Sequence, residues 1–201
     1  LARDAIGPDV KLAIDANQVW DVNEAIKWIN ALGDVNLHWV EEPTNPDDAV
    51  GHAAIAKAIA PVKVATGEHV TNRIIFKQMM QSKSLSFVQI DASRVAGVNE
   101  NIAIILMAAK FGLPVCPHAG GVGLCEMVQH LAMFDYVAVG GENPDRVVEF
   151  VDHLHEHFVV PTEIKNARYM PPIKAGAGAQ MFDKSVSDFT YPDGPEWIGQ
   201  I

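Results

Sequence analysis

Six apolar segments of the chain each lead into a side chain that can ionise or bind a metal ion. Residues 11–15 end in Asp15, and residues 37–40 are followed by Glu41 and Glu42. The same pattern recurs further along the chain at Glu68, Asp91, His118 and Glu149. A single acid after a strand is commonly a helix cap, but six in succession favour a shared site, because parallel strands open onto one face.

Carboxylates dominate this set and determine the chemistry that it can support. Three carboxylates from adjacent strands, without Cys or His, suit a hard cation such as Mg²⁺, which keeps open positions for water or substrate. Asp15 and Asn17 are two residues apart, so both side chains point to the same strand face. Glu41 and Glu42 are neighbours, so only one can face the site in a regular strand. The pattern predicts a magnesium site and leaves open which of these two glutamates takes part.

The residues of the site are placed by alternating strands and helices. The predicted strands are residues 11–15, 37–40, 62–65, 87–90, 113–116 and 146–150. The predicted helices are residues 21–32, 47–60, 73–81, 99–111 and 124–134. Asp21 with Glu24 forms a capping-box pattern at the start of the first helix, and Gly33 ends that helix.

This alternation predicts an α/β fold. The strands recur about every 25 to 30 residues, the spacing of an eight-stranded (β/α) barrel. A doubly wound sheet shows the same alternation, although no glycine fingerprint follows the first strand to favour a dinucleotide-binding fold. Residues 1–158 are predicted to form one unit that carries the site. Residues 159–201, with several prolines and a Gly-Ala run, are predicted to be an irregular segment that packs on another part of the protein.

Short motifs at the strand ends resemble those of the enolase superfamily, in its mandelate racemase-like branch. The matching motifs are Ile14-Asp15-x-Asn17, Val40-Glu41-Glu42-Pro43, Gly67-Glu68, Gln89-Ile90-Asp91 and Pro117-His118. Three longer stretches, residues 67–73, 115–126 and 151–158, are similar to the L-fuconate dehydratases. The resemblance implies the C-terminal part of a TIM-type (β/α)7β barrel, with about six of its eight strands. Residues 159–201 would then pack on the N-terminal capping domain of the family.

The resemblance also implies roles for individual residues. It implies three magnesium ligands, one from each of the first three strands here: Asp15, Glu41 and Glu68. Glu42 is therefore expected to face away from the metal. The resemblance implies a catalytic dyad from the next two strands and two substrate-binding residues: Asp91 with His118, and Asn17 with Glu149. The base of the family is the second lysine of a Lys-x-Lys motif, and the printed residues contain no such motif. We therefore expect this segment alone to be inactive.

The implied reaction is the dehydration of an acid sugar, L-fuconate, to 2-keto-3-deoxy-L-fuconate and water. A lysine takes the C2 proton, Mg²⁺ acts as a Lewis acid on the carboxylate, and His118 protonates the leaving 3-hydroxyl. Two alternatives stay open. One is another acid-sugar dehydratase or a racemase of the same branch. The other is a truncated chain that binds metal without catalysis.

A run of three histidines lies outside this pattern. His153 and His157 have the i, i+4 spacing of a zinc-binding helix. The intervening Glu156 is misplaced for a metalloprotease motif, however, and a third ligand is not evident. The run is therefore interpreted as structural.

Composition narrows the choice of partners and compartment. The net charge is −10 and no block of Lys and Arg stands out, which disfavours nucleic acid and anionic membranes as partners. The two cysteines, Cys116 and Cys125, form neither a disulfide framework nor a zinc pattern, which fits a reducing compartment. We expect a cytoplasmic protein, or a mitochondrial one in a eukaryote. It would bind a small acid sugar and form a homo-oligomer at full length.

Overall fold

The centre of the molecule is a parallel β-sheet, in a computed structural model that describes residues 1–141, 143 and 145–198. Its four strands run in the order β1 Ala13–Asp15, β2 Trp39–Glu41, β3 Lys63–Thr66 and β4 Phe87–Val88. Each strand pairs in parallel with the next, with Asp15 opposite Glu41 and Thr66 opposite Val88. The carboxyl ends of all four strands therefore open on one edge of the sheet. This confirms the predicted α/β class.

Two of the predicted strands are shorter in the structure than in the sequence pattern. Residues 113–116 contribute one isolated parallel bridge, between Val88 and Val115, and residues 146–150 form no regular strand. Pro117 faces residues 146–150 and accepts a hydrogen bond from Glu149, but it has no N–H to donate to that segment. The prediction of six regular strands is therefore wrong for these two segments.

The same two segments nevertheless continue the order of the sheet through backbone hydrogen bonds. The N–H of His118 donates to the carbonyl of Ile90 at 2.8 Å. The N–H of Glu149 donates to the carbonyl of Pro117 at 3.1 Å. His118 and Glu149 are thus placed on the edge that also carries the ends of β1 to β4.

The predicted helices are present with bounds close to those expected. They are α2 Val22–Ala31, α3 Ala49–Ala58, α4 Arg73–Ser82, α5 Val98–Lys110 and α6 Leu124–Phe134, after a short α1 Ala2–Ile6. Asp21 and Glu24 form the expected capping box at α2. Successive helices from α2 to α5 pack side by side. Within the described part of the chain, none of the helices combines the length and apolar character that a membrane span needs.

The sheet presents two different faces. On one face, Val40 and Val64 are fully buried and pack in a cluster with Ile29 of α2 and Ile55 of α3. Alternation along β2 sends Glu41 to the opposite face. The helices thus cover the apolar face and leave the other for the residues of the site.

The C-terminal part of the chain has more regular structure than its irregular sequence pattern predicts. Strands β5 Ile164–Lys165 and β6 Arg168–Tyr169 form an antiparallel hairpin, and α7 spans Asp183–Phe189. Part of this region packs on the barrel-like unit, because Tyr169 contacts the cluster formed by Ala119, Cys125 and Val128. Packing of residues 159–201 on a capping domain stays a prediction.

Gly67 sets the turn between β3 and Glu68, and we predict that Gly67→Ala destabilises the fold by about 2–4 kcal/mol. Its φ is +140°, and an added Cβ would lie 2.4 Å from the carbonyl oxygen of Gln89 and 2.7 Å from the ring of Phe76. Urea unfolding measures the loss. Gly112→Ala is the control, since φ is +71° there but no atom lies within 4 Å, so only about 1 kcal/mol should be lost. Equal losses at both positions would contradict the steric argument.

Candidate active site

Three carboxyl groups lie at neighbouring positions on the carboxyl edge of the sheet. Asp15 ends β1 and Glu41 ends β2, and the two residues are paired in register. Glu68 lies two residues beyond the end of β3. These are the three predicted magnesium ligands, so the fold places all three at one edge.

Polar neighbours orient the first two carboxylates. Asn17 donates its backbone N–H to Asp15 Oδ1 at 2.8 Å and its side-chain amide to Asp15 Oδ2 at 2.7 Å. Trp39 Nε1 donates to Glu41 Oε2 at 3.2 Å, and the side chain of Gln89 is also hydrogen-bonded to Glu41. Asn17, predicted to bind substrate, thus holds a predicted metal ligand in this structure. Its contact with substrate stays a prediction.

Glu42 occupies a different environment from its neighbour. It is fully buried, with a positive φ of 40°. Its carboxylate accepts hydrogen bonds from Gln18 Nε2 at 2.9 and 3.0 Å, and it lies 2.6 Å from Nδ1 of His69. Ligand atoms of Glu42, Glu68 and His69 all lie within 4.8 Å of one another. Glu42 thus lies close to Glu68, although Gln18 and His69 already contact its oxygens. The expectation that Glu42 faces away from the metal stays a prediction.

Each carboxyl group of the site makes ionisation of its neighbours less favourable. Burial raises the pKa of Asp15 and of Glu41, and nearby carboxylates, including that of Glu149, add to the rise in both. Burial also raises the pKa of Glu68 to about 8; His118 opposes this rise, and the charges of Glu42, Glu41 and Asp15 add to it. A cluster of oxygen ligands with unbalanced negative charge fits a hard divalent cation. Among the described residues, the ligand atoms that lie within 4.8 Å of one another belong to Glu42, Glu68 and His69, so binding of Mg²⁺ by Asp15, Glu41 and Glu68 stays a prediction.

His118 and Asp91 form a hydrogen-bonded pair beside these carboxylates. Asp91 Oδ2 lies 2.7 Å from His118 Nδ1, and its Oδ1 accepts from the backbone N–H groups of Ser93 and Arg94. Burial alone would raise the pKa of Asp91, but these hydrogen bonds outweigh burial and lower it to about 2. Asp91 is thus an anion that accepts from Nδ1–H, so His118 turns Nε2 outward. The predicted dyad is close enough to work as a unit, and its catalytic role stays a prediction.

The outward nitrogen of His118 lies between a predicted metal ligand and a predicted substrate-binding residue. Nε2 is 3.6 Å from Glu68 Oε2 and 3.8 Å from Glu149 Oε2. Burial lowers the pKa of His118, but the hydrogen bond to Asp91 and these negative charges outweigh burial and raise it. An added Cβ at Gly120 would lie 2.8 Å from Nε2, so the glycine leaves space for this ring. The raised pKa of His118 therefore favours the form that carries a proton at Nε2.

Sequence reasoning missed three residues that hold the site together. Gln18 and His69 contact Glu42, and Gln89 contacts Glu41. The position of Arg94 shortly after Asp91 indicates a substrate contact or a structural partner, and its Nε donates to the carbonyl of Glu68 at 3.3 Å. The only signal of the three missed residues is adjacency to the strand-end motifs, since their contacts are long-range: Gln18 and His69, which contact each other, are 51 positions apart.

Comparison with known proteins agrees with this fold. Residues 1–185 match the family model described as enolase C-terminal domain-like. The crystal structure of human mitochondrial enolase superfamily member 1 is similar, with a TM-score of 0.97 and 53% sequence identity. The match covers 99% of this chain and 46% of that chain.

Two dehydratases are also similar to this chain. L-galactonate dehydratase from Hypocrea jecorina is 47% identical over 196 residues, which are 96% of this chain and 43% of that protein. The crystal structure of L-talarate dehydratase from Polaromonas sp. JS666, complexed with Mg and L-glucarate, has a TM-score of 0.76 and 30% identity. That match covers 90% of this chain and 48% of the other, so the predicted cofactor is present in a solved structure of a relative.

The chain spans about half the length of the curated relatives it matches. The family model, by contrast, covers most of the chain, and the relatives share its parallel α/β fold. The strand-end motifs are thus explained by common descent, and the chain belongs to the enolase superfamily, in its mandelate racemase-like branch.

Proposed function

We propose that this chain carries the metal-binding and acid-bearing part of the active site of a magnesium-dependent acid-sugar dehydratase. The position of His118 Nε2 supports this proposal most, because it lies 3.6 Å from Glu68 and 3.8 Å from Glu149. A proton donor therefore stands beside the carboxylates that can hold the metal. The similar dehydratases carry out reactions that need such an acid.

Asp15, Glu41 and Glu68 are the proposed metal ligands. Bound Mg²⁺ supplies a Lewis acid for the carboxylate of the substrate, whose C2 proton is otherwise too weakly acidic to remove. Asn17 fixes both oxygens of Asp15, and Gln89 fixes Glu41. These contacts hold the oxygens in place before a cation binds, which lowers the cost of assembling the site.

His118 is the proposed general acid. Nε2–H would give its proton to the 3-hydroxyl as the C3–O bond breaks, so that the hydroxyl leaves as water. Asp91 holds Nδ1–H and favours the imidazolium form, which has the proton to give. Glu149, which lies beside Nε2, would hydrogen-bond the substrate. The C2 proton needs a separate base, and the resemblance assigns it to a lysine of a Lys-x-Lys motif that the printed residues lack.

L-Fuconate is the proposed substrate, with 2-keto-3-deoxy-L-fuconate and water as products. The proposal rests on residues 67–73, 115–126 and 151–158, which are similar to the L-fuconate dehydratases. The 47% identity to an L-galactonate dehydratase supports a second candidate, a dehydratase for another acid sugar. A racemase of the same branch would exchange the C2 proton and keep the 3-hydroxyl, so product analysis separates it from both.

Turnover of acid sugars by the full-length protein tests the proposed function. The panel should include L-fuconate, L-galactonate, galactarate and L-talarate, each with and without Mg²⁺. We expect formation of a 2-keto-3-deoxy acid that requires Mg²⁺ and is fastest with L-fuconate. Epimerisation at C2 without a keto acid would indicate the racemase. Inactivity on every acid sugar, with metal bound, would support the non-catalytic alternative.

Residues 1–201 produced alone are predicted to show no dehydration of the acid sugar that the full-length protein uses. The reason is the missing base, because no Lys-x-Lys motif occurs in these residues. Product formation by the purified segment measures this, with circular dichroism as a control for folding. Turnover by a folded segment would refute the assignment of the base, and Lys63 or Lys110 would then be the next lysines to replace.

Partners and location follow from the same proposal. We propose that the partner is the small acid sugar, with no role for nucleic acid or a membrane surface, and that the full-length protein forms a homo-oligomer. A reducing compartment is proposed, the cytoplasm or, in a eukaryote, the mitochondrion. The name of the similar human protein, mitochondrial enolase superfamily member 1, is compatible with the second choice.

A further inference from the structure

The position of Glu149 is not set by a regular strand. Residues 146–150 form no regular strand, and the backbone N–H of Glu149 bonds to Pro117. Its side chain is nevertheless held by a hydrogen bond, in which Oε2 accepts the N–H of Ala119 at 2.6 Å. That contact places the carboxylate next to His118. Contacts from outside the sheet must therefore contribute to the position of this segment.

Tyr169 supplies one such contact from the hairpin of β5 and β6. Its hydroxyl donates to the carbonyl of Glu149 at 2.5 Å. Its ring meets Phe150 edge-on, with ring centres 6.0 Å apart. Tyr169 also packs against Ala119 and Cys125. The hairpin thus contacts the backbone of Glu149.

Glu126 and His155 supply the second contact. Glu126, on α6, is fully buried, and its Oε1 lies 2.6 Å from His155 Nδ1 and accepts the N–H of Thr162. His155 Nε2 lies 2.9 Å from the carbonyl of Val151. Both ring nitrogens therefore face acceptors, and both can donate when the ring of His155 carries two protons. A buried carboxylate without such a partner would be strongly destabilising.

His155 links Glu126 to the residues that directly follow Glu149. Its ring stacks in parallel on Phe150 with centres 5.5 Å apart, and its Nε2 holds Val151. The charged groups that face His155 are Glu126 on α6 and Asp152 on its own segment. Burial lowers the pKa of His155, but the hydrogen bonds to Glu126 and Val151 outweigh burial and raise it. His155 in the histidine run thus has a structural role. Among the described residues, no group that could hold a metal ion includes a histidine of this run.

We propose that Tyr169 and the Glu126–His155 pair are positioning residues that hold Glu149 against Ala119 at the edge of the active site. We call these three residues the brace. The inference deepens the proposed function and rests on it, since Glu149 matters there as a substrate contact. The brace contacts the segment of Glu149 and the cluster around Ala119, whereas Asp15, Glu41 and Glu68 lie elsewhere along the edge of the sheet, so metal binding should not depend on it.

A double-mutant cycle in the full-length protein tests the brace. Tyr169→Phe and His155→Gln should each lower kcat/KM by on the order of ten- to a hundred-fold, as expected for a displaced binding group. In a Glu149→Gln background, the same changes should have little further effect. Affinity for Mg²⁺, measured by calorimetry, should stay unchanged. His157→Gln is the matched control, since His157 contacts Ser185 and Phe189 instead of this segment.

Hydrogen exchange gives a readout that does not need turnover. The amide of Ala119 bonds to the Glu149 side chain, so both brace variants should speed its exchange, and His157→Gln should not. Unchanged exchange at Ala119 would overturn the brace whether or not an acid sugar is turned over. Additive losses of kcat/KM with Glu149→Gln would also overturn it. A protein that turns over no acid sugar but shows faster exchange would refute the proposed function and leave the brace supported.

Discussion

His118→Asn in the full-length protein is expected to lower dehydration about a hundred- to ten-thousand-fold, because it removes the proton donor for the leaving hydroxyl. Exchange of the C2 proton with solvent should survive better, since it requires the base and the metal. The expected signature is deuterium uptake from D₂O at C2 without formation of the keto acid. Mass spectrometry of substrate and product measures both in one experiment.

Asp91→Asn is the companion variant for the dyad. Asp91 holds Nδ1 of His118 at 2.7 Å and favours its charged form, so the loss of activity should be comparable or smaller. If His118 is purely structural, packed between Pro117 and Gly120, its substitution would instead cause a loss of stability with turnover per folded molecule retained. If folded His118→Asn dehydrates the acid sugar within a few-fold of wild type, the assignment of the general acid is wrong.

Glu68→Gln is expected to lower the affinity for Mg²⁺ by more than about a hundred-fold, since loss of an outer partner of a metal ligand already costs about 10–100-fold. In the metal-free protein the same change should increase stability. Burial and neighbouring carboxylates raise the pKa of Glu68 from 4.5 to about 8, so the fold loses stability as the pH rises between these two values, and a neutral Gln avoids that loss. Titration calorimetry and urea unfolding with a chelator measure the two effects. Weaker metal binding together with higher stability of the metal-free protein is the result expected of a site whose carboxylates are neutralised by a bound cation.

Glu41→Gln and Glu42→Gln form the matched pair that locates the metal. Glu41 belongs to the predicted ligand set, whereas Gln18 and His69 already contact the Glu42 oxygens. We expect Glu41→Gln to weaken metal binding as Glu68→Gln does, and Glu42→Gln to do so far less. The reverse order would place the metal at Glu42, Glu68 and His69, whose ligand atoms lie within 4.8 Å of one another.

The sequence alone predicted the parallel α/β fold and the edge at which the site lies. Strand-end acids repeat with the spacing of βα units, and parallel strands send all their carboxyl ends one way. The register of Asp15 opposite Glu41 follows from that rule. Capping at Asp21 was predictable for the same local reason, because a capping box needs only residues three positions apart.

Only the tertiary structure decided which partners hold those acids. Glu41 and Glu42 are equivalent in composition, and their environments differ because Gln18 and His69, 24 and 27 residues away along the chain, contact one and not the other. The short pairing around Val115 and Glu149 depends on which backbone groups of neighbouring segments come within hydrogen-bond distance. The spacing of the histidine run indicated a structural role but not the partner of each histidine. His155 is explained by a buried carboxylate 29 positions away, a contact that local pattern cannot predict.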